Sequence, residues 1–165
     1  MDIDIDEIVA LYSDTVYRAA LTCLRDPHEA EDVVSEVMIK YFTVCGRLEI
    51  RDQEHLKAWF IRVAVNRCRD ILKSARYRKT AALEEERAVS AGMSSGMGEE
   101  ELDLKKALSQ LDEKYRTVIY LYYYEQYKTE EIASLLKIPK GTVVSRLARA
   151  REKLKGLLSD EEMST

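Results

Sequence analysis

The sequence predicts an all-α fold made of two small helical domains joined by a flexible linker. Three observations predict it. Apolar residues recur every three or four positions through most of the chain, the period of an amphipathic helix. No segment alternates apolar and polar residues for long, so no sheet is expected. Between residues 80 and 100 the pattern lapses into Glu84-Glu85-Glu86 and then SAGMSSGMGEEE, a Gly- and Ser-rich run without the apolar surface to order itself.

The elements follow in order. Residues 5–24 read as a helix with apolar positions Ile5, Ile8, Val9, Tyr12, Val16, Ala20, Leu21 and Leu24. Asp26-Pro27 supplies a cap and a helix-opening proline. The next helix turns Ala30, Val33, Val34, Val37, Met38 and Tyr41 inward, and Gly46 terminates it. A polar loop over 46–52 leads to a long helix from about Gln53 to Arg78. Its first half is apolar and aromatic (Leu56, Trp59, Phe60, Val63) and its second half is basic.

Beyond the linker, Leu104, Ala107, Leu108 and Leu111 mark a helix over 101–111. Asp112 caps another over 113–125 that buries Tyr115, Val118, Ile119 and Tyr122. Thr129 caps a short helix whose first turn carries Glu130 and Glu131, where the helix dipole favours anions. Ile132, Ala133, Leu135 and Leu136 form its apolar face. Lys137-Ile138-Pro139 interrupts it, because the residue before a proline is pushed out of helical geometry. Pro139 opens the last helix, with Val143, Leu147, Ala150 and Leu154 at helical spacing and Arg146, Arg149, Arg151, Lys153 and Lys155 projecting elsewhere. Residues 127–155 therefore form a helix-turn-helix whose second helix fits a DNA major groove.

Composition narrows the function. The 165 residues suit one domain or two small ones, and 46% hydrophobic with 34% charged residues suits a soluble helical protein. Ten Tyr against two Phe favour half-buried helices, since tyrosine keeps a polar tip. The net charge is −4, but residues 62–79 and 137–155 each carry +6, which leaves −16 on the remainder. Two basic patches on an acidic background point to two separate nucleic-acid contacts. Cys23, Cys45 and Cys68 are far apart, and His28 and His55 are the only histidines. Neither a structural zinc site nor any cofactor is expected, and the cysteines read as reduced and buried in a cytoplasmic protein. There is no signal peptide and no apolar run near 18 residues, so no membrane insertion is expected. No nucleophile–base pair or phosphate-binding glycine loop appears, so the chain does not read as an enzyme.

Two segments share a family resemblance. DPHEAEDVVSEVMIKYF with HLKAWFIRVAVNRCRDILKSARYRK resembles region 2 of bacterial sigma-70 family transcription factors. LSQLDEKYRTVIYLYYYEQYKTEEIASLLKIPKGTVVSRLARAREKL resembles their region 4. With only the linker between them, the layout is similar to the extracytoplasmic-function (ECF) sigma factors, over about residues 8–157. The resemblance implies region 2 over 5–79, the linker over 80–100 and region 4 over 101–158. It implies core RNA polymerase and promoter DNA as partners, with an anti-sigma factor as regulator.

It also implies site residues. Asp32, Glu36 and Lys40 lie one helical turn apart on the surface that meets the polymerase. Arg62, Asn66, Arg69 and Lys73 share a face for the −10 element, and the loop from about Arg47 to His55 holds one flipped base. Trp59 and Phe60 read mainly as core. The family pattern G-T-V-x-S-R-L-x-R-A-R is matched by Gly141, Thr142, Val143, Ser145, Arg146, Leu147, Arg149, Ala150 and Arg151. Lys140, Thr142, Ser145, Arg146, Arg149 and Arg151 are the expected −35 contacts, with Ser145 and Arg149 on base edges and Arg146 and Arg151 on phosphate. Two positions depart from the pattern: Val144 stands where the family often has Lys or Arg, and Lys137 where the turn usually has Gly. The alternatives are a stand-alone helix-turn-helix regulator, which usually dimerises on paired half-sites, and a helical adaptor that has lost promoter function.

Overall fold

The computed structural model describes residues 4–78 and 98–163. No strand occurs among the described residues, and the chain divides into two compact units, Met1–Lys79 and Thr80–Thr165. The linker expected over 80–100 lies, as far as residue 97, outside the described residues.

The first unit is a three-helix bundle of α1 (Ile5–Leu24), α2 (Pro27–Val44) and α3 (Gln53–Arg78), with α1 packed on both others. Arg25 turns left-handed (φ 58°) to end α1, and its N–H donates to the Leu21 carbonyl at 2.8 Å. Asp26 then caps α2: its Oδ1 accepts from the N–H of His28 at 3.0 Å and of Glu29 at 3.4 Å. A 3₁₀ turn, Cys45–Arg47, passes through Gly46. Asp52 Oδ1 accepts the His55 N–H at 2.8 Å and so starts α3.

Phe60 is fully buried and stacks on Tyr12 at 4.7 Å between centroids, with Tyr41 at 5.1 Å and Trp59 at 5.2 Å. These aromatics are core, as the sequence predicts. Burial raises the Tyr12 and Tyr41 phenols above their ordinary value. Two details differ from the sequence reading. Ile5 and Val9 are exposed, because periodicity identifies a face but not how far its partner helices cover it. Cys45 is also exposed, while Cys23 and Cys68 are buried.

The second unit holds α4 (Glu99–Gln110), α5 (Glu113–Ile119), a π-helical turn (Tyr120–Tyr124), α6 (Thr129–Leu136) and α7 (Lys140–Met163). Helix α7 packs against α4, α5 and α6. Sequence periodicity predicts one helix over 113–125. Instead the Glu125 N–H bonds the Tyr120 carbonyl at 3.0 Å, five residues back, which widens the last turn. Buried Arg116 donates Nη1 to the Leu111 carbonyl and stitches the α4–α5 corner. Lys128, not Thr129, is the residue before α6: the Glu131 carboxylate reaches back to accept its N–H at 3.0 Å. Lys137 ends α6 with φ 56° and ψ 47°, the left-handed conformation expected where a glycine is usual.

Candidate nucleic-acid interface

Helix α7 has three sides, which the rotation of about 100° per residue assigns. Val143, Leu147 and Ala150 are buried and Leu154 half-buried on the side that packs into the unit. Gly141, Ser145, Ala148 and Glu152 are exposed on the opposite side. The cations occupy both flanks: Lys140 and Arg151 beside exposed Val144 on one, and Arg146, Arg149 and Lys153 beside Thr142 on the other. Over residues 141–148, ahead of Glu152, small residues at the front with cations on each flank suit the start of a helix lying in a groove bordered by two phosphate strands.

Each flank is organised by neighbours the sequence reading did not connect. On the first, Lys140 Nζ lies 2.6 Å from Glu130 Oε1 across the turn of the motif. This ion pair, with backbone help, holds the Glu130 carboxyl below the usual carboxylate range. Arg151 donates Nε to the Tyr123 hydroxyl at 2.6 Å, and its guanidinium lies 5.6 Å and 5.5 Å from the Tyr122 and Tyr123 ring centroids. The π turn presents these rings, and Tyr123 is itself exposed. On the second flank, buried Tyr115 has Lys153 Nζ 4.9 Å and Lys114 Nζ 5.1 Å from its ring centroid. Its phenol is held below the ordinary tyrosine value, first by a hydrogen bond with Arg149 and then by the lysines. No local pattern signals these pairs, since Arg151 and Tyr123 are 28 residues apart.

In the first unit, Arg62, Asn66 and Arg69 are half-buried and Lys73 is exposed. The helical rotation puts all four on one stripe of α3, away from Ile61, Ala64, Val65 and Cys68 in the core. Asp32, Glu36 and Lys40 are exposed along the outer side of α2. Two features were missed there. Ile39 sits in the middle of that side with 67% of its surface exposed, which a helical wheel of α2 would have revealed. Glu36 is forked to Arg67 of α3, with Nε–Oε2 at 2.5 Å and Nη2–Oε1 at 3.4 Å. The same carboxylate raises the Arg67 guanidinium further above its ordinary value. The loop ahead of α3 is drawn in by the Arg51 N–H, which donates to His55 Nδ1 at 3.3 Å, while Arg47, Glu49 and Arg51 stay exposed.

A helix-turn-helix with a cation-flanked second helix, in the same chain as a separate helical bundle with its own basic stripe, defines a two-unit DNA-binding protein. Comparison with known proteins makes this specific. Residues 8–78 match the family model for sigma-70 region 2, and residues 101–154 match that for sigma-70 region 4. Relatives include the ECF RNA polymerase sigma factor SigW of Bacillus subtilis, 30% identical over 93% of this chain and 88% of that protein. The ECF sigma factor SigL of Mycobacterium tuberculosis is 31% identical over 92% and 88%. Among solved structures, the sigma factor RpoE in complex with the anti-sigma factor NepR from Bartonella quintana superposes with a TM-score of 0.73 at 24% identity, over 94% of this chain and 97% of that one. CnrH in complex with the cytosolic domain of CnrY gives 0.63 at 25% identity, over 94% and 88%. The chain belongs to the sigma-70 family, in its ECF group.

Among the described residues no helix is long and apolar enough to cross a membrane.

Proposed function

We propose that the chain is a promoter-specificity subunit that binds core RNA polymerase in the cytoplasm and directs it to a set of promoters. The observation that carries this reading is the presence, in one chain, of both a region 2 bundle and a region 4 helix-turn-helix, each with a basic stripe. A stand-alone regulator would need only the second. In this division of labour, the chain carries no active site and the chemistry belongs to the polymerase.

The roles divide by unit. In region 2, taken as residues 5–79, Asp32, Glu36 and Lys40 face the polymerase, and Arg62, Asn66, Arg69 and Lys73 follow the −10 strand. Residues 80–100 are the linker. In region 4, residues 101–158, Ser145 and Arg149 meet base edges of the −35 element, while Lys140, Thr142, Arg146 and Arg151 hold phosphate. An anti-sigma protein is the proposed regulator, by likeness to the neighbour solved with the anti-sigma factor NepR.

Capture on immobilised core polymerase tests the polymerase face. The chain should be retained, and Asp32→Lys should be lost at moderate salt while keeping its helix content by circular dichroism. Equal retention of the variant would contradict the assignment of α2.

A further inference from the structure

Between Lys140 and Lys155 the outward and flanking positions of α7 are small or charged, with one exception. Val144 exposes 49% of its surface and is the only large apolar side chain exposed on α7 among the described residues. It stands one turn from Lys140 and from Ala148, on the flank that also carries Arg151. An exposed β-branched residue gains nothing from solvent, and a phosphate offers it nothing. Among the base edges of a major groove, one group is apolar: the 5-methyl of thymine. The helical rotation puts Val144 between the flank of Lys140 and Arg151 and the front of Ser145 and Ala148, so with the flank cations on the phosphates it faces the groove edge.

We propose that Val144 reads a thymine in the −35 element through its 5-methyl group, and is thereby a specificity-determining residue of this chain. The inference rests on the reading of α7 as the −35 recognition helix. It turns the departure from the family pattern into a change of code. A Lys or Arg at this position would seek the O6 and N7 acceptors of guanine, whereas valine selects the base whose groove edge is a methyl.

The test uses holoenzyme assembled from the full chain and core polymerase. A random duplex library is first selected for binding, and each thymine of the enriched −35 motif is then replaced singly by deoxyuridine, which differs only in lacking the methyl. At one position the substitution should weaken wild-type binding about fourfold, the worth of one buried methyl. Val144→Ala should bind the thymine probe as weakly as the wild type binds deoxyuridine, and should not sense the replacement. Val144→Lys should move the preference at that position toward guanine. Because Val144 is exposed, both variants should keep wild-type melting temperatures. A motif that tolerates deoxyuridine at every thymine, or a variant Val144→Ala that senses the methyl as the wild type does, would overturn the inference while leaving the sigma-factor reading intact. Absence of any enriched motif would overturn both.

Discussion

Arg151 and Tyr123 meet through a hydrogen bond of 2.6 Å from guanidinium Nε to phenol oxygen, between the last helix and the π turn that precedes the helix-turn-helix. The bond occupies the inner edge of the guanidinium. Among the described residues its two terminal nitrogens have no hydrogen-bond partner, and they form the fork that suits a phosphate. The tyrosine rings beside it limit the rotamers Arg151 can adopt. Tyr123 therefore pre-orders a cation on the flank of α7.

If that order matters, Tyr123→Phe and Arg151→Ala should act through one interaction. Each single variant is expected to weaken −35 binding, with the phenylalanine variant a few-fold weaker and Arg151→Ala lowering the salt slope by about 1. The double variant should bind like Arg151→Ala alone, a non-additivity that marks residues sharing a partner. Salt titrations of binding on one promoter fragment measure all three. Additive losses would mean that Tyr123 acts elsewhere.

Phe60 is fully buried among Tyr12, Tyr41 and Trp59, so its role is packing rather than stacking on an opened base. Phe60→Ala should cost about 3–5 kcal/mol. That is a large share of the stability of any small unit, about 5–15 kcal/mol in all. Thermal or urea unfolding should show loss of the first unit's transition. A variant of unchanged stability with a defect only in strand opening would contradict the core assignment.

Lys137 adopts φ 56° and ψ 47° at the end of α6. A side chain in that conformation costs about 1–2 kcal/mol. Glycine relieves the strain but gains about 0.4–1 kcal/mol of freedom in the unfolded chain. Lys137→Gly should therefore stabilise the second unit by about 0.5–1 kcal/mol. Calorimetry should record this as a Tm higher by a few degrees.

The Glu130–Lys140 pair gives the helix-turn-helix a pH-dependent clasp. Glu130 binds its proton less tightly in the folded chain than in the unfolded one, because Lys140 bonds the charged form. The clasp is complete above the ordinary glutamate value, near 4.3, and is lost as the pH falls through the depressed folded value. Glu130→Gln should thus lower the Tm slightly at pH 7 and approach wild type as both are acidified below pH 4. A constant difference at all pH values would show that the charge is not the cause.

What the sequence makes legible is what local chemistry determines. The apolar period of Val143, Leu147 and Ala150 settles which side of α7 is buried, and Asp26-Pro27 settles where α2 begins, because each signal acts within one or two helical turns. The chain was harder to read where two local options compete or where distant segments meet. Thr129 is a good cap by type, yet Glu131 prefers the N–H of Lys128, which moves the start of α6. The π turn at Tyr120–Tyr124 has no compositional signature, since it depends on where the next segment turns away. Glu36 with Arg67, Arg149 with Tyr115 and Arg151 with Tyr123 are tertiary pairs, and each changes what an exposed charge is available to do. The site residues were legible as types on faces, but their partners were not.

The decisive measurement is transcription from fragmented genomic DNA of the host by sigma-free core polymerase, with and without the purified chain, with the 5′ ends of the transcripts mapped. A promoter-specificity subunit should produce discrete starts that share −35 and −10 elements and that vanish when the chain is omitted. No new starts and no binding to the polymerase, with tight binding of the chain alone to a palindromic site, would contradict it and return the protein to the class of stand-alone regulators.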